Sequence, residues 1–238
     1  MPRFEPWRGN VWRLIEGQYR PATLKIVDGL AEQQRLEDLL EASKPRIPPD
    51  CAHLDYQFSA PFRYGCYPRD SRFRRKGQTP GVFYASDNPL TAALESAWIS
   101  VGFYRASPAT PLPATTTAHT AILAEVQVPV AVDLTAPDNA VLGVWDDPVD
   151  YTACLTLADE VRALGCEAIR YASVRDPARG ANLAVLTCRA FAQPRPVDSQ
   201  SWHVYLTRDR VVLTNETLRQ GYEFAVGVRG FVGARESG

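Results

Sequence analysis

The sequence predicts one α+β domain built around a central, largely antiparallel sheet. Segments in which apolar and polar residues alternate are interspersed with segments of helical period, without the regular strand–helix repeat of a parallel sheet. A hairpin pattern near the C-terminus favours antiparallel pairing. The chain has 238 residues, of which 45% are hydrophobic, so it has enough apolar surface to bury one substantial core.

The first half of the chain is predicted to contain two strands and two helices. They are the strands 11–15 and 82–85, a helix at 30–42 and a helix that starts at residue 89. Asn88 is a favourable N-cap for the second helix, and a proline follows it in the first turn. Prolines within 44–49 end the first helix. The segment 61–81, rich in glycine, proline, arginine and aromatic residues, is predicted to be a functional loop.

The clearest signal in the second half is an alternation of apolar residues over 122–132, which predicts a strand with one buried face. The other predicted elements are a helix at 154–164 ended by Gly165, strands at 168–172 and 183–186, and a hairpin of 202–206 with 211–213. The predicted domain spans 1–226, with its core at about 12–213 and a helical elaboration at about 22–50. Residues 227–238 are predicted to be a mobile tail.

Composition disfavours several kinds of partner. The formal net charge is −1 and the pI is near 6.3, so we expect no direct nucleic-acid partner and no membrane partner. The N-terminus lacks the apolar stretch of a secretory signal, which predicts a cytoplasmic protein. The five cysteines form no CxxC pair, and their odd number argues against both a disulfide framework and a zinc site. We therefore expect no metal, and expect the cysteines to be small buried side chains.

Familiar nucleotide and hydrolase motifs are missing from the chain. The sequence contains no GxxxxGK[ST] phosphate loop, no GxGxxG after a strand, no HExxH and no GxSxG. These absences disfavour P-loop enzymes, Rossmann dehydrogenases, zinc peptidases and serine hydrolases of the α/β type.

Five short segments together carry a recognisable pattern. Segments 61–65, 71–77, 81–85, 91–95 and 171–177 read PFRYG, SRFRRKG, GVFYA, TAALE and YASVRDP. In this order they resemble the RES domain family, which takes its name from an arginine, a glutamate and a serine, and the resemblance runs from about Trp12 to Phe191. It implies an ADP-ribosyltransferase-like fold, NAD+ as the substrate, and a toxin held inactive by a helix-turn-helix antitoxin of the Xre type.

The resemblance also assigns site residues. It matches the catalytic arginine, glutamate and serine to Arg72, Glu95 and Ser173. Because the family often has glycine immediately before its arginine and this chain has serine there, either Arg72 or Arg74 is expected to enter the site.

A further group of residues is expected to hold the nucleotide. The resemblance places Arg63, Tyr64 and Tyr84 along the nucleotide pocket. Guanidinium groups suit a diphosphate because they donate paired hydrogen bonds and stay charged, and Arg74 adds another. Tyr64 and Tyr84, together with Phe73, offer flat rings to the two bases.

The chemistry expected at this site is cleavage of the bond between nicotinamide and ribose. Glu95 would stabilise the positive charge that develops on the ribose. Nicotinamide leaves as a neutral group and needs no strong acid, so Ser173 is expected to orient the substrate and not to attack it.

The resulting hypothesis is a toxin that acts as an NAD+ glycohydrolase or phosphorolase, with the acceptor left open. An alternative is a mono-ADP-ribosyltransferase that modifies a protein acceptor. Another class is a non-catalytic regulator that binds protein or DNA, since 155–169 resembles a helix, a glycine turn and a helix. Extended character after Gly165 and the near-neutral charge disfavour DNA binding.

Overall fold

The structure is a computed structural model that describes residues 2–17, 27–64, 67–77, 81–141 and 143–237. Its strands are β1 (Phe4–Glu16), β2 (Phe83–Ser86), β3 (Thr117–Asp133), β4 (Ala168–Ala172), β5 (Ala181–Val185), β6 (Asp198–Leu206), β7 (Arg210–Asn215), β8 (Gln220–Val226) and β9 (Phe231–Ser237). Its α-helices are α1 (Leu30–Ser43), α2 (Tyr56–Arg63), α3 (Pro89–Ala106), α4 (Pro137–Ala140) and α5 (Thr152–Ala163). Two short 3-10 helices lie at Pro49–Cys51 and Cys188–Ala190.

These elements confirm the predicted α+β class. Among the strand pairs of the described residues, β3 with β4 is parallel and the others are antiparallel. Each predicted strand and helix has a counterpart at its expected place, with longer bounds for β1 and β3. The predicted loop 61–81 starts later than expected because α2 continues to Arg63.

The long strand β3 organises the sheet. One edge of β3 pairs with β1 from Phe4 opposite Val132 to Glu16 opposite His119. The other edge pairs first with β6 and then with β4. Because β1 also pairs with β2 at Trp12 and Ser86, the strands β1, β2, β5, β4 and β3 form a closed ring, from which β6 to β9 continue as a meander.

Helix α3 lies against both parts of the sheet. Its first turn is capped by Asn88, whose Oδ1 accepts from the Leu90 and Thr91 amides over 2.7 and 3.4 Å. The helix packs against β1, β2, β5 and β6, and it buries Leu94 and Val101. It is therefore held where the ring and the meander meet.

The helical elaboration is joined covalently to the rest of the domain. Cys51 forms a disulfide with Cys188, across 137 residues of sequence and with a Cα–Cα distance of 5.3 Å. This corrects the expectation of unpaired cysteines, because the fold brings together two 3-10 helices whose cysteines no spacing rule connects. Cys154 and Cys166 are free and buried, as expected, and Cys66 lies outside the described residues.

The C-terminal segment corrects the expectation of a mobile tail at 227–238. Residues Phe231–Ser237 form β9, which pairs with β8. Phe231 is buried with its ring edge-to-face against Trp98, at 5.4 Å between ring centroids. The sheet thus extends beyond residue 226 because this aromatic residue packs on α3.

Two other features bear on the kind of protein. After Gly165, which has a φ of +80°, the chain enters β4, so α5 is not followed by the second helix of a helix-turn-helix. In the part of the chain that the structure describes, no helix has the length and apolar character needed to cross a membrane.

Candidate active site

Glu95 lies on α3, and two neutral donors hold its carboxylate. The Ser173 hydroxyl donates to Glu95 Oε1 over 2.6 Å, and Asn182 Nδ2 donates to the same oxygen over 2.7 Å. Asn182 is fixed in turn, because its Oδ1 accepts from the Ser86 hydroxyl over 2.6 Å. Within the described residues no protein donor reaches Glu95 Oε2, so this second oxygen is available to a ligand.

Ser173 is fully buried, and both sides of its hydroxyl are engaged. Besides donating to Glu95, Ser173 Oγ accepts from the amides of Arg175 and Asp176 over 3.2 and 3.1 Å. The expected direct contact between Ser173 and a substrate is therefore replaced in this geometry by a contact with Glu95. Ser173 positions the carboxylate.

The turn that carries Ser173 is tied to the start of α3. Thr91 Oγ1 donates to Asp176 Oδ2 over 2.7 Å, and the Ser173 amide donates to the Gly180 carbonyl over 2.8 Å. A Cβ placed on Gly180 would lie 2.2 Å from Thr91 Oγ1, so only glycine fits this close approach. Ser173 and Glu95 are thus held in register by two separate contacts.

The arginine-rich loop forms a tight turn at 71–74. Ser71 and Arg74 exchange two backbone hydrogen bonds, of 2.9 and 3.1 Å. The Tyr84 hydroxyl secures the turn, because it bonds Ser71 Oγ at 2.9 Å and accepts from the Phe73 amide at 3.1 Å. Phe73 is fully buried, with its ring edge-to-face against Tyr171. Phe73 therefore anchors the turn in the core, and its expected contact with a base is not formed by this arrangement.

The two arginines of the turn reach different cavities. Arg72 lines a cavity of about 360 Å³, here called the Glu95 cavity, which Glu95, Tyr171 and Asn182 also line. Arg74 lines a cavity of about 790 Å³, here called the Tyr64 cavity. The sequence left open which arginine enters the site, and the structure places Arg72 in one cavity and Arg74 in the other.

Arg72 is buried without a carboxylate partner among the described residues. Its Nη1 donates to the Trp145 carbonyl over 2.8 Å, and its guanidinium lies 4.7 Å from the centre of the Tyr151 ring. Tyr171 lies on another side, with its ring centre 5.8 Å away. Burial raises the pKa of Tyr171 well above its usual value, and the charge of Glu95 adds to the effect. Tyr171 therefore stays a neutral phenol beside Arg72.

Arg13 on β1 is a site residue that the sequence analysis missed. Its Nη1 donates to the Tyr84 carbonyl over 3.1 Å, its guanidinium lies over the Phe83 ring, and its Nε is buried without a partner among the described residues. Burial lowers the pKa of Arg13 to about 10, and Tyr67 opposes this shift. The signal in the sequence was an arginine within an apolar strand, because arginine is rarely buried unless it has a partner.

Arg13 joins the two cavities. The Glu95 cavity and the Tyr64 cavity share five lining residues and so form one elongated site. The shared residues are Arg13, Leu14, Ser71, Tyr84 and Ile99. Burial raises the pKa of Tyr84, which stays a neutral phenol at this junction.

The Tyr64 cavity has aromatic walls from α2 and the segment after it. Tyr64 and Tyr67 line it, with Tyr56 at the rim. Arg74 lies 3.7 Å from the centre of the Tyr67 ring, and its Nε is buried without a partner in the described part of the chain. A flat polar ring would find both stacking surfaces and a cation here.

Arg63, like the buried Ser173, is an expected site residue that lines neither cavity. Its Nη1 donates to Glu41 Oε1 over 2.6 Å and its Nε donates to the Pro45 carbonyl over 2.5 Å. Its side chain thus joins α2 to the end of α1. The structure does not bring Arg63 to the other candidates.

Among the described residues, the elongated site is lined by four arginines and three acidic residues. The arginines that line it are Arg13, Arg72, Arg74 and Arg175, and none of them forms an ion pair with a described carboxylate. Asp70, Glu95 and Glu16 are the acidic residues among its described walls. Partly buried cations without an acidic partner favour an anionic ligand. Among the described residues no cluster of His, Cys, Asp and Glu is suited to hold a metal ion.

Comparison with known proteins gives a family match and a structural likeness. A family model described as the RES domain matches residues 45–207. The crystal structure of the M. tuberculosis MbcT-MbcA toxin-antitoxin complex contains a similar chain, with a TM-score of 0.41, 15% sequence identity, and coverage of 82% of this chain and 85% of that chain. The search of curated proteins gives no match.

Proposed function

The chain belongs to the RES domain family, and on that premise we propose that it binds NAD+ and breaks the bond between nicotinamide and ribose. The observation that carries the proposal is the setting of Glu95. Its Oε1 is occupied by Ser173 and Asn182 while its Oε2 has no described protein donor, and it lines a cavity walled by cationic arginines. A fixed carboxylate beside an anion-binding surface suits a substrate with a diphosphate and a developing sugar cation.

The walls of the two cavities offer groups suited to the parts of a dinucleotide. In the proposed arrangement the nicotinamide ribose occupies the Glu95 cavity and the adenine lies against Tyr64 and Tyr67. The diphosphate lies at the junction, beside Arg13 and the 71–74 turn. Paired hydrogen bonds from guanidinium groups suit phosphate oxygens, and no competing carboxylate pairs with Arg13 in the described chain.

The bond between the ribose C1′ and the nicotinamide nitrogen breaks heterolytically. Its electron pair stays on the nitrogen, so nicotinamide leaves as a neutral molecule and C1′ becomes cationic. Glu95 stabilises that charge, and an acceptor oxygen then bonds to C1′ and loses a proton. No histidine lies among the described walls of the site, which is consistent with a leaving group that needs no proton.

The preferred acceptor is water or inorganic phosphate, which would give ADP-ribose or its 1-phosphate. A protein side chain as acceptor would make the chain a mono-ADP-ribosyltransferase. In either case we propose that the chain is the toxin of a toxin–antitoxin pair and is held inactive by a helix-turn-helix antitoxin, as the resemblance to the RES domain family implies.

The test is release of nicotinamide from NAD+ by the purified chain, measured chromatographically with and without phosphate. We expect Glu95→Gln to lower kcat about a hundredfold to a thousandfold, because the carboxylate charge is lost and the shape is kept. Glu160→Gln, which changes an exposed carboxylate on α5, is the matched control and should leave kcat unchanged.

The outcomes separate the candidate functions. Nicotinamide release that depends on phosphate identifies a phosphorolase, and release without phosphate identifies a glycohydrolase. Release only with cell lysate, with label from NAD+ on protein, identifies a transferase. No loss of NAD+ under any of these conditions would reject the enzyme and leave a protein-binding regulator.

A further inference from the structure

A third cavity, of a different character, lies at the C-terminal end of α3. It has a volume of about 480 Å³ and is bounded by the last turns of α3, the connector after it, and the turn between β6 and β7. Its floor is apolar, because Val101 and Leu206 belong to the buried core and Leu112 packs against them. None of its residues lines the Glu95 or Tyr64 cavities.

The rim of this cavity carries positive charge without a matching acid. Arg105 and Arg208 line it, and no carboxylate does in the described chain. Arg105 donates to the Gly227 carbonyl over 2.9 Å, and neither arginine forms an ion pair with a described acid. A pocket of this size with an apolar floor and a cationic rim complements a small molecule with an apolar body and one anionic head.

Arg105 is also in direct contact with a wall of the active site. Its guanidinium lies 5.2 Å from the centre of the Trp98 ring, and the guanidinium of Arg175 lies 4.8 Å from the same ring centre. Trp98 and Arg175 both line the Glu95 cavity. The turn between β8 and β9 connects the two arginines as well, because Arg105 donates to the Gly227 carbonyl and Arg175 to the Arg229 carbonyl.

We infer that this cavity, here called the α3-end cavity, binds an aliphatic monocarboxylate whose head pairs with Arg105, and that its occupancy changes how the Glu95 cavity binds substrate. A carboxylate at Arg105 competes with the Trp98 ring and the Gly227 carbonyl for the guanidinium. Arg175 contacts the same Trp98 ring and the same turn between β8 and β9, so its position changes when Arg105 moves. The binding step is independent of the proposed function, and only the coupling step rests on it.

The binding step is tested with decanoate as the probe, titrated into the purified full chain by calorimetry, with decanol as the uncharged control. We expect saturable binding of decanoate and about tenfold weaker binding of decanol, since the charge-assisted pair is missing. Arg105→Gln should weaken decanoate binding about tenfold on the same grounds, whereas Arg8→Gln, an exposed arginine of β1, should not change it.

Two further variants test whether decanoate binds in the α3-end cavity. Ala109→Trp fills the α3-end cavity from an exposed position and should abolish binding without unfolding the chain. Decanoate should change the tryptophan fluorescence of the wild type, because Arg105 moves from the Trp98 ring, and Trp98→Phe should remove that change. No saturable heat with decanoate, equal binding of decanol, or unchanged binding in both Arg105→Gln and Ala109→Trp would overturn the inference.

The coupling step is tested by substrate binding. Decanoate should change the KM for NAD+ at least about twofold in the wild type and not in Ala109→Trp. Saturable binding with an unchanged KM would reject the coupling and keep the site. If the wild type does not turn over NAD+ even without decanoate, the proposed function is rejected. The calorimetric test of decanoate binding is unaffected by that outcome.

Discussion

Ser173 Oγ lies 2.6 Å from Glu95 Oε1, although 78 residues separate them in the sequence. The same serine accepts from two amides of its own turn, so its side chain cannot turn towards the cavity without breaking three hydrogen bonds. Asn182 on β5 donates to the same oxygen of Glu95. The carboxylate is therefore oriented by two buried donors that a substrate does not displace.

The first prediction concerns this positioning. Ser173→Ala should lower kcat about tenfold to a hundredfold with little change in KM, because the carboxylate stays charged but loses its fixed orientation. Asn182→Ala should act in the same direction. Steady-state kinetics of NAD+ cleavage measure the effects on kcat and KM separately, and Ser199→Ala at an exposed position of β6 is the control. A rise in KM alone would show that Ser173 contacts the substrate instead.

The second prediction concerns Arg13. Arg13→Gln should raise the KM for NAD+ about tenfold to a hundredfold, because the diphosphate loses a charged donor at the junction of the cavities. Arg8→Gln changes an exposed arginine of the same strand that pairs with Glu125, and it should leave KM unaltered. Equal KM values for Arg13→Gln and the wild type would remove Arg13 from the binding site.

The third prediction follows from the pKa of Arg13, which burial lowers to about 10. Below that pH the guanidinium is charged and can bind the diphosphate, and the charge is lost as pH rises through the pKa. The ratio of KM in Arg13→Gln to KM in the wild type should therefore be large at pH 8 and fall towards one above about pH 10. A bound diphosphate stabilises the charged form, so high NAD+ concentrations should move the transition upward. A ratio that stays constant across this range would contradict the assignment.

The fourth prediction concerns the disulfide between Cys51 and Cys188. Replacing both cysteines with serine should lower the free energy of unfolding by about 2–4 kcal/mol, since the bond closes a long loop. Urea unfolding with and without dithiothreitol measures the effect. The reductant should destabilise the wild type and leave the double variant unchanged, and equal sensitivity of the two proteins would contradict the bond.

The fifth prediction compares two glycines. Gly180→Ala should lower the free energy of unfolding by about 1–3 kcal/mol, because the new Cβ meets Thr91 Oγ1 and the turn must shift. Gly102→Ala, in the exposed part of α3 with no atom within 4 Å of the added Cβ, should raise it by about 0.5–1 kcal/mol. Thermal unfolding of both variants measures these changes in stability. Gly180→Ala should also lower kcat, because Ser173 moves with the turn.

Local patterns were sufficient to predict most of the secondary structure. The cap at Asn88, the alternation over 122–132 and the stop at Gly165 each depend on neighbouring residues, and each is confirmed by α3, β3 and the end of α5. The expected tail was wrong because the stability of β9 comes from Phe231 against Trp98, which no local window contains.

The candidate site was predicted only where motifs carried it. Glu95, Arg72 and Tyr84 come from short segments and line the same cavity. Arg63 belongs to such a segment too, but its direction depends on α1, which supplies Glu41 as its partner. Arg13 and Asn182 were missed because a single polar residue in a strand shows its role only when the strands across from it are known.

The sequence by itself determined the family, the order of the helices and strands, and the choice of Glu95, Arg72 and Ser173 as candidates for the proposed chemistry, because each of these depends on short-range periodicity or on short motifs. Only the tertiary structure decided which oxygen of Glu95 is free, which arginine enters which cavity, and that Cys51 meets Cys188. These depend on contacts between residues far apart in the chain, which form only when the sheet closes on β1 and brings those residues together.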